Sequence, residues 1–459
     1  MGVARVIRQH VDEWVDEELP RLNRAILDGA TPPVLLTEQA KDIVLPGLPS
    51  VGRLSRQEAR QLVVRLGFLG ASVARHYQEW TPGGKDRPER AFDGLTAGAD
   101  GIPFREYFAE LAEHTGDGHY GRDSYASLVR WNVGTIEVRR GAELLVVLPG
   151  VFDDGRIRSY TGSPGEERFF LLVKNGEAIE RAVNDLLEPL ARNGASLVSA
   201  DAVGRVRLAT ELLLALRQLF LDFAGLPSAE SMPTEHFMDV FRQFAVHWTA
   251  EDIPPSGALD PEALKRDFLL GVGLDGYDTL VRRLFPALLA GERAELSALM
   301  ARPTLPQQLL ATLGVGTESL SATDPAELGR LLRGQPALVD WYQLLTAHAR
   351  AAGAHLMLSK KFLFKPQRER DAAGIGDRPL VSNRAGTTGM NETFLERLTR
   401  ARQDHPLAAL RGALTGGSRG VLIGGARGAV IGETPENATQ RQVRSHPEVP
   451  TPVSVALVG

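Results

Sequence analysis

Taken in heptad-like steps from Trp341, the chain places Leu345, His348, Ala352, His355, Ser359 and Phe362 on one stripe. The pattern predicts a helix over about 339–362 whose inner face is apolar or small except for two histidines. A second helical pattern begins at Ser55, which with Glu58 spells a capping box. It carries Leu62, Val63, Leu66, Leu69, Val73 and Ala74 inward and stops before Trp80-Thr81-Pro82-Gly83. Between 84 and 120 the chain reads as loop with one helical piece near Phe104 to Leu111. Residues 135–138 and 144–148 alternate as a short hairpin around Gly141, the only strands the pattern supports. From 163 helical signals dominate. Ser163-Pro164-Gly165-Glu166 reads as a capping box with proline at the first helical position, ahead of Phe169, Phe170, Val173, Ala182, Val183 and Leu186. A long helix is expected from about Val203 to Ala224 with Gly225 as its stop, and Asp260-Pro261 and Asp324-Pro325 start two more.

These elements predict a mainly α protein: a helical bundle large enough to enclose a cofactor, a smaller N-terminal helical domain and a short β-hairpin. The Pro/Gly cluster at 149–164 marks a seam. The expected domains are 1–150, then 163–410 as the large helical unit. A flexible Gly-rich tail is expected over 411–459. In that tail Gly416-Gly417-Ser418-Arg419-Gly420 and Gly424-Gly425-Ala426-Arg427-Gly428 lack the strand and βαβ context of a dinucleotide fingerprint, which leaves a mobile tail or a loosely packed flap.

Composition narrows the chemistry. With 459 residues the chain can build a large core or two modest domains. The formal net charge of −5 gives no basic field for nucleic acid. No cysteine is present, so disulfides, thiolate haem ligation and cysteine nucleophiles are excluded. The N-terminus lacks an apolar signal core and no uncharged apolar run reaches membrane-spanning length, so a cytoplasmic protein is expected.

Two histidines on an apolar stripe have a plain reading, hydrogen-bonded core histidines, because periodicity cannot identify a ligand. Around His355, however, Ala351, Ala352, Gly353 and Ala354 leave room against the helix that a flat cofactor could fill.

The run Ala354-His355-Leu356-Met357-Leu358-Ser359-Lys360-Lys361-Phe362 resembles the proximal-histidine helix of the indoleamine/tryptophan 2,3-dioxygenase superfamily. So does Gly386-Thr387-Thr388-Gly389-Met390-Asn391, which follows His355 by 31 residues where that family has a Gly-Thr loop. The Gly-Thr-Thr-Gly variant is closer to the bacterial branch that acts in pyrrolnitrin biosynthesis. The resemblance implies a b-type haem held by His355, with His348 as the fallback ligand one heptad earlier. It also implies that Arg242, in the Phe237…Arg242…Trp248 segment, receives a substrate carboxylate, although a simple helical wheel leaves Arg242 as a solvated arginine. Phe169 and Phe170 align with aromatic residues over the haem's substrate side, or are simply buried core. Val173 replaces a polar residue there. Ser124–Asn132 resembles the family's pocket helix. Gly386, Thr387 and Thr388 would close over the substrate, and Phe237 would line the cofactor pocket.

The implied function is a haem-dependent oxygenase using O2 on an indole or other aromatic amino-acid-like substrate in secondary metabolism, as a monomer or homodimer, without nucleic acid or membrane. An ordinary tryptophan 2,3-dioxygenase, a haem-based sensor without turnover and a purely structural helical protein remain alternatives.

Overall fold

A computed structural model describes residues 11–192, 196–316, 320, 323–375, 379–416 and 452–458. The protein is mainly helical. The six main helices are α1 (Arg56–Trp80), α2 (Pro164–Leu187), α3 (Ala200–Gly225), α4 (Pro261–Leu270), α5 (Ala337–Ser359) and α6 (Glu392–Gln403). Five of them line the candidate site, and α1 anchors the first of two hydrophobic cores.

Each starts where short-range chemistry favours it. Ser55 Oγ accepts from Glu58 N while Glu58 Oε2 accepts from Ser55 N, the reciprocal cap expected for α1. Asp260 Oδ1 accepts from Glu262 N and Ala263 N at the head of α4, and Asn391 Oδ1 accepts from Phe394 N at the head of α6. The capping box expected at α2 does not form. Ser163 Oγ does accept from Gly165 N, but the Glu166 carboxylate turns away to take Thr161 N, Thr161 Oγ1 and His236 Nε2. A buried carboxylate with three donors outranks one backbone amide at a helix end.

Two hydrophobic cores form. The first gathers around α1 and draws on residues from Val11 to Val133, from Val151 to Phe170 and from Phe244 to Leu296. The second lies among α2, α3 and α5. The inward residues of the hairpin, Ile136, Val138, Val146 and Leu148, belong to this second core. Lys174 of α2 fixes the hairpin's entry. Its buried ammonium donates to the carbonyls of Arg130, Val133 and Gly134, which meets all three of its donors.

The hairpin is as expected, but it is not the only sheet. A two-residue ladder joins β1 (Thr96–Ala97) to β2 (Ile102–Pro103). The hairpin strands are β3 (Thr135–Arg140) and β4 (Glu143–Leu148), with Gly141 at φ 59° in the turn. A third strand, β5 (Val453–Val458), pairs antiparallel with β3 from Thr135↔Val458 to Arg140↔Val453, giving the order β4-β3-β5. The expectation of a flexible tail over 411–459 is therefore corrected at both ends, since Leu410–Gly416 is helical and Val453–Val458 is a paired strand. Val453 and Val455 pack against the second core, which explains why this stretch is held. Residues 417–451, including most of the Gly-rich repeats, lie outside the described residues.

Candidate functional site

Between the two cores lies a cavity of about 360 Å3. That size falls within the usual range for small-molecule and cofactor sites, about 300–1,000 Å3. Helix α2 supplies one wall through Phe169, Phe170, Val173, Gly176 and Glu180, and α5 the opposite wall through Ala351, Ala352, His355 and Ser359. The segment before α4, the loop before α6 and α6 itself close the rest. Every site residue expected from the sequence reaches this one space: Phe169, Phe170, Val173, Phe237, Arg242, His355, Gly386, Thr387 and Thr388.

The two histidines of α5 separate cleanly. His348 is 1% exposed and does not reach the cavity. Its Nδ1 accepts from Arg266 Nε at 3.1 Å, and its Nε2 lies 3.3 Å from Asp267 Oδ1 without hydrogen-bond geometry. The plain reading, a core histidine, holds for it. His355 presents its imidazole to the cavity. The cavity is partly open to solvent and the side chain is exposed there, yet the surrounding protein together with the Arg402 and Arg266 guanidiniums depresses its pKa to about 4. The ring is therefore neutral at pH 7. Its nearest described aromatic neighbour is Phe220, with ring centroids 5.6 Å apart, and no described polar side chain bonds to it. A neutral, unpartnered imidazole facing a cavity is the form that can ligate a metal.

Arg242 corrects the helical-wheel reading. The 237–248 stretch is not one regular helix. A wide π-turn over His236–Val240 gives way to a tight 3₁₀ turn over Phe241–Phe244, and the helix ends there. That change of pitch rotates Arg242 inward, leaving it 8% exposed, while Trp248 sits beyond the helix against α1. Arg242 Nη2 donates to the carbonyls of Ser382 and Ala385 at 2.6 Å each. Its Nε is buried without a partner, and no described carboxylate pairs with the guanidinium. Burial lowers its pKa to about 10, which still leaves it charged at neutral pH. A desolvated cation without an anion is costly, and a ligand anion would relieve that cost.

The Gly-Thr loop folds across the same end. Thr387 Oγ1 donates to Pro255 O at 2.9 Å, and an Ala385–Asn391 bridge closes the loop's base. Thr388 Oγ1 is buried and unpartnered, the second idle polar atom on this wall. Gly389 takes φ 82°, which a side chain would strain. Also on the cavity, Phe169 meets Phe241 edge-on with centroids 5.3 Å apart, and Phe237 lies tilted against Phe169 and Phe241 at 5.4 and 6.0 Å. In the segment that resembles the pocket helix, the cavity is reached by Tyr125, Leu128 and Val129 rather than by Trp131.

The sequence reading missed the polar end of the cavity: Tyr125, Glu180, Asp260, Arg266, Asp267, Tyr277 and Arg402. Asp267 accepts from Arg402 at 2.9 and 2.6 Å and from the Tyr277 hydroxyl at 2.5 Å, which holds its pKa far below the usual range despite burial. Nothing in local periodicity announces a charged residue turned inward. Asp260 carried a signal only as a helix cap.

The residues present suit a haem-sized group. His355 would hold the iron and Ala351 and Ala352 leave space beside it, while Arg266 and Arg402 at the polar end are already paired with Glu180 and Asp267. No protein-family model matches this chain, and no curated protein matches it either.

Proposed function

We propose that the protein is a haem-dependent oxygenase that acts with O2 on an indole or other aromatic amino-acid-like substrate. The observation that carries this reading is that one cavity brings together a neutral imidazole (His355) and a buried guanidinium (Arg242), the first with no polar side-chain partner and the second with no anion among the described residues. His355 would ligate the iron, and bound haem would supply the activation of O2. The chain's own residues do the rest. Arg242 and Thr388 take the substrate's carboxylate; the guanidinium's fork favours a planar anion over a neutral group. Phe169, Phe237 and Phe241 confine the aromatic ring, and the Gly-Thr loop excludes water. Val173 offers no hydrogen-bond acceptor, so no side-chain base stands at that point of α2 for an indole N–H.

The test is a visible spectrum of protein purified with haem supplementation. A Soret band is expected, with loss or strong reduction in His355→Ala and retention in His348→Ala. Full haem binding by His355→Ala would overturn the assignment.

A further inference from the structure

Arg75, on α1, is among the largest fully buried side chains of the molecule. Its one ion pair among the described residues, with the part-exposed Glu79, spans 3.5 Å. A guanidinium buried against so weak a counter-ion needs other acceptors. It finds two backbone carbonyls: Arg75 Nη1 donates to Val240 O at 2.8 Å and Nη2 to Asp239 O at 3.3 Å. Its Cζ lies 4.3 Å from the ring centroid of Phe244, which stacks on Tyr160 at 4.2 Å.

Those carbonyls stand where the π-turn over His236–Val240 becomes the 3₁₀ turn over Phe241–Phe244. Val240 itself leaves regular helical backbone, at φ −117° and ψ −72°. The carbonyl before them, Met238 O, accepts from Gln243 Nε2 at 2.6 Å. Three consecutive carbonyls of the junction therefore take side-chain donors. The Gln243 amide also accepts from Val381 N at 2.9 Å and donates to Val381 O at 3.2 Å. It thus ties the turn to the segment whose Ser382 and Ala385 carbonyls hold Arg242. Arg242 sits on this 3₁₀ turn with its Nε buried and unpartnered. At constant helical pitch the same residue would point to solvent, as its helical wheel shows.

We propose that Arg75 and Gln243 are positioning residues for Arg242. They fix the change of pitch that turns its guanidinium into the cavity, and so set how strongly the site prefers an anionic ligand to a neutral one of the same shape; the role rests on Arg242 receiving a carboxylate, as proposed above. Neither residue borders the cavity, so both act through Arg242 and not on the ligand. The planar fork of Arg75 spans two adjacent carbonyls, a geometry that a lysine ammonium does not copy.

Calorimetric titration of the full-length protein with indole-3-propionate and with its neutral counterpart, indole-3-propionamide, reads the preference. Wild-type protein should bind the anion at least about tenfold more tightly than the amide. Arg75→Gln and Gln243→Leu should each bring that ratio close to one, and Arg75→Lys should restore it only in part. Arg65→Gln is the control: it removes another buried arginine of α1, one paired with Asp12 and Asp16 away from the cavity, and should keep the wild-type ratio. A purely structural role would weaken both probes alike and leave the ratio unchanged. If Arg75→Gln does not fold, Gln243→Leu and Arg75→Lys decide. A wild-type ratio near one overturns Arg242 as the carboxylate's receiver, and the positioning role with it. A wild-type preference that survives in the folded Arg75 and Gln243 variants, or that Arg65→Gln also abolishes, overturns the positioning role alone.

Discussion

Arg242 is held by two carbonyls and has no described counter-ion, so its replacement probes charge and geometry together. Under the proposed function, Arg242→Lys keeps the charge but loses the fork, and aromatic amino acids should bind about 30- to 150-fold more weakly, the equivalent of roughly 2–3 kcal/mol. Calorimetric titration reads this directly, and an unchanged affinity removes Arg242 from the substrate site. Val173 borders the cavity one turn from Phe169 on α2. An indole N–H buried against it without an acceptor costs on the order of 1–3 kcal/mol. Ferrous enzyme supplied with O2 and a panel of indoles should therefore turn over a modified indole or another aromatic amino acid faster than L-tryptophan. Val173→Ser should narrow that gap. If L-tryptophan is the best substrate of the wild-type enzyme and gains two oxygen atoms, the prediction fails.

At the scale of elements, α5 carries one histidine in the core and one at the cavity, and desolvation holds both neutral at pH 7. Burial holds the His348 pKa down to about 4 against 6.5 in the unfolded chain. A depressed histidine stabilises the fold where it is neutral in both states. That contribution is complete above about pH 6.5 and declines as pH falls toward 4, because the unfolded chain takes up a proton the fold refuses. Between pH 7.5 and 5 the wild-type protein should lose roughly 2 kcal/mol more stability than His348→Gln, as read by urea unfolding. Equal losses would show that His348 is not held neutral.

The element scale also shows what the sequence could reveal. The stripe on α5, the cap at Ser55 and the alternation around Gly141 depend on neighbours a few residues away, so periodicity found them. Arg242 escaped the wheel because a wheel assumes constant pitch, and a π-turn followed by a 3₁₀ turn breaks that assumption within nine residues. Glu180 and Asp260 escaped because buried acids oppose the inside-apolar rule; only three-dimensional packing shows Arg266 and Tyr125 beside them. Family resemblance, not periodicity, picked His355 over His348, and their difference is visible only in which one meets a cavity.

For the whole molecule, β5 matters more than its six residues suggest. It covers one edge of β3 and sets Val453 and Val455 on the second core. Deleting residues 452–459 should leave β3 as an open edge, lower the melting temperature and raise self-association on size-exclusion chromatography. A truncated chain with unchanged melting temperature and elution would show that β5 is dispensable.

That strand also sets a clock. Val453 is translated 313 residues after Arg140, its partner in β3. At ribosomal speeds of about 5–20 residues per second, β3 waits on the order of tens of seconds for its last neighbour. Throughout that interval the nascent chain carries an unsatisfied strand edge, and closing the sheet is a long-range event that local helix formation cannot hasten. A chaperone that shields exposed strands would act in that window, between emergence of the hairpin and arrival of the strand that completes it.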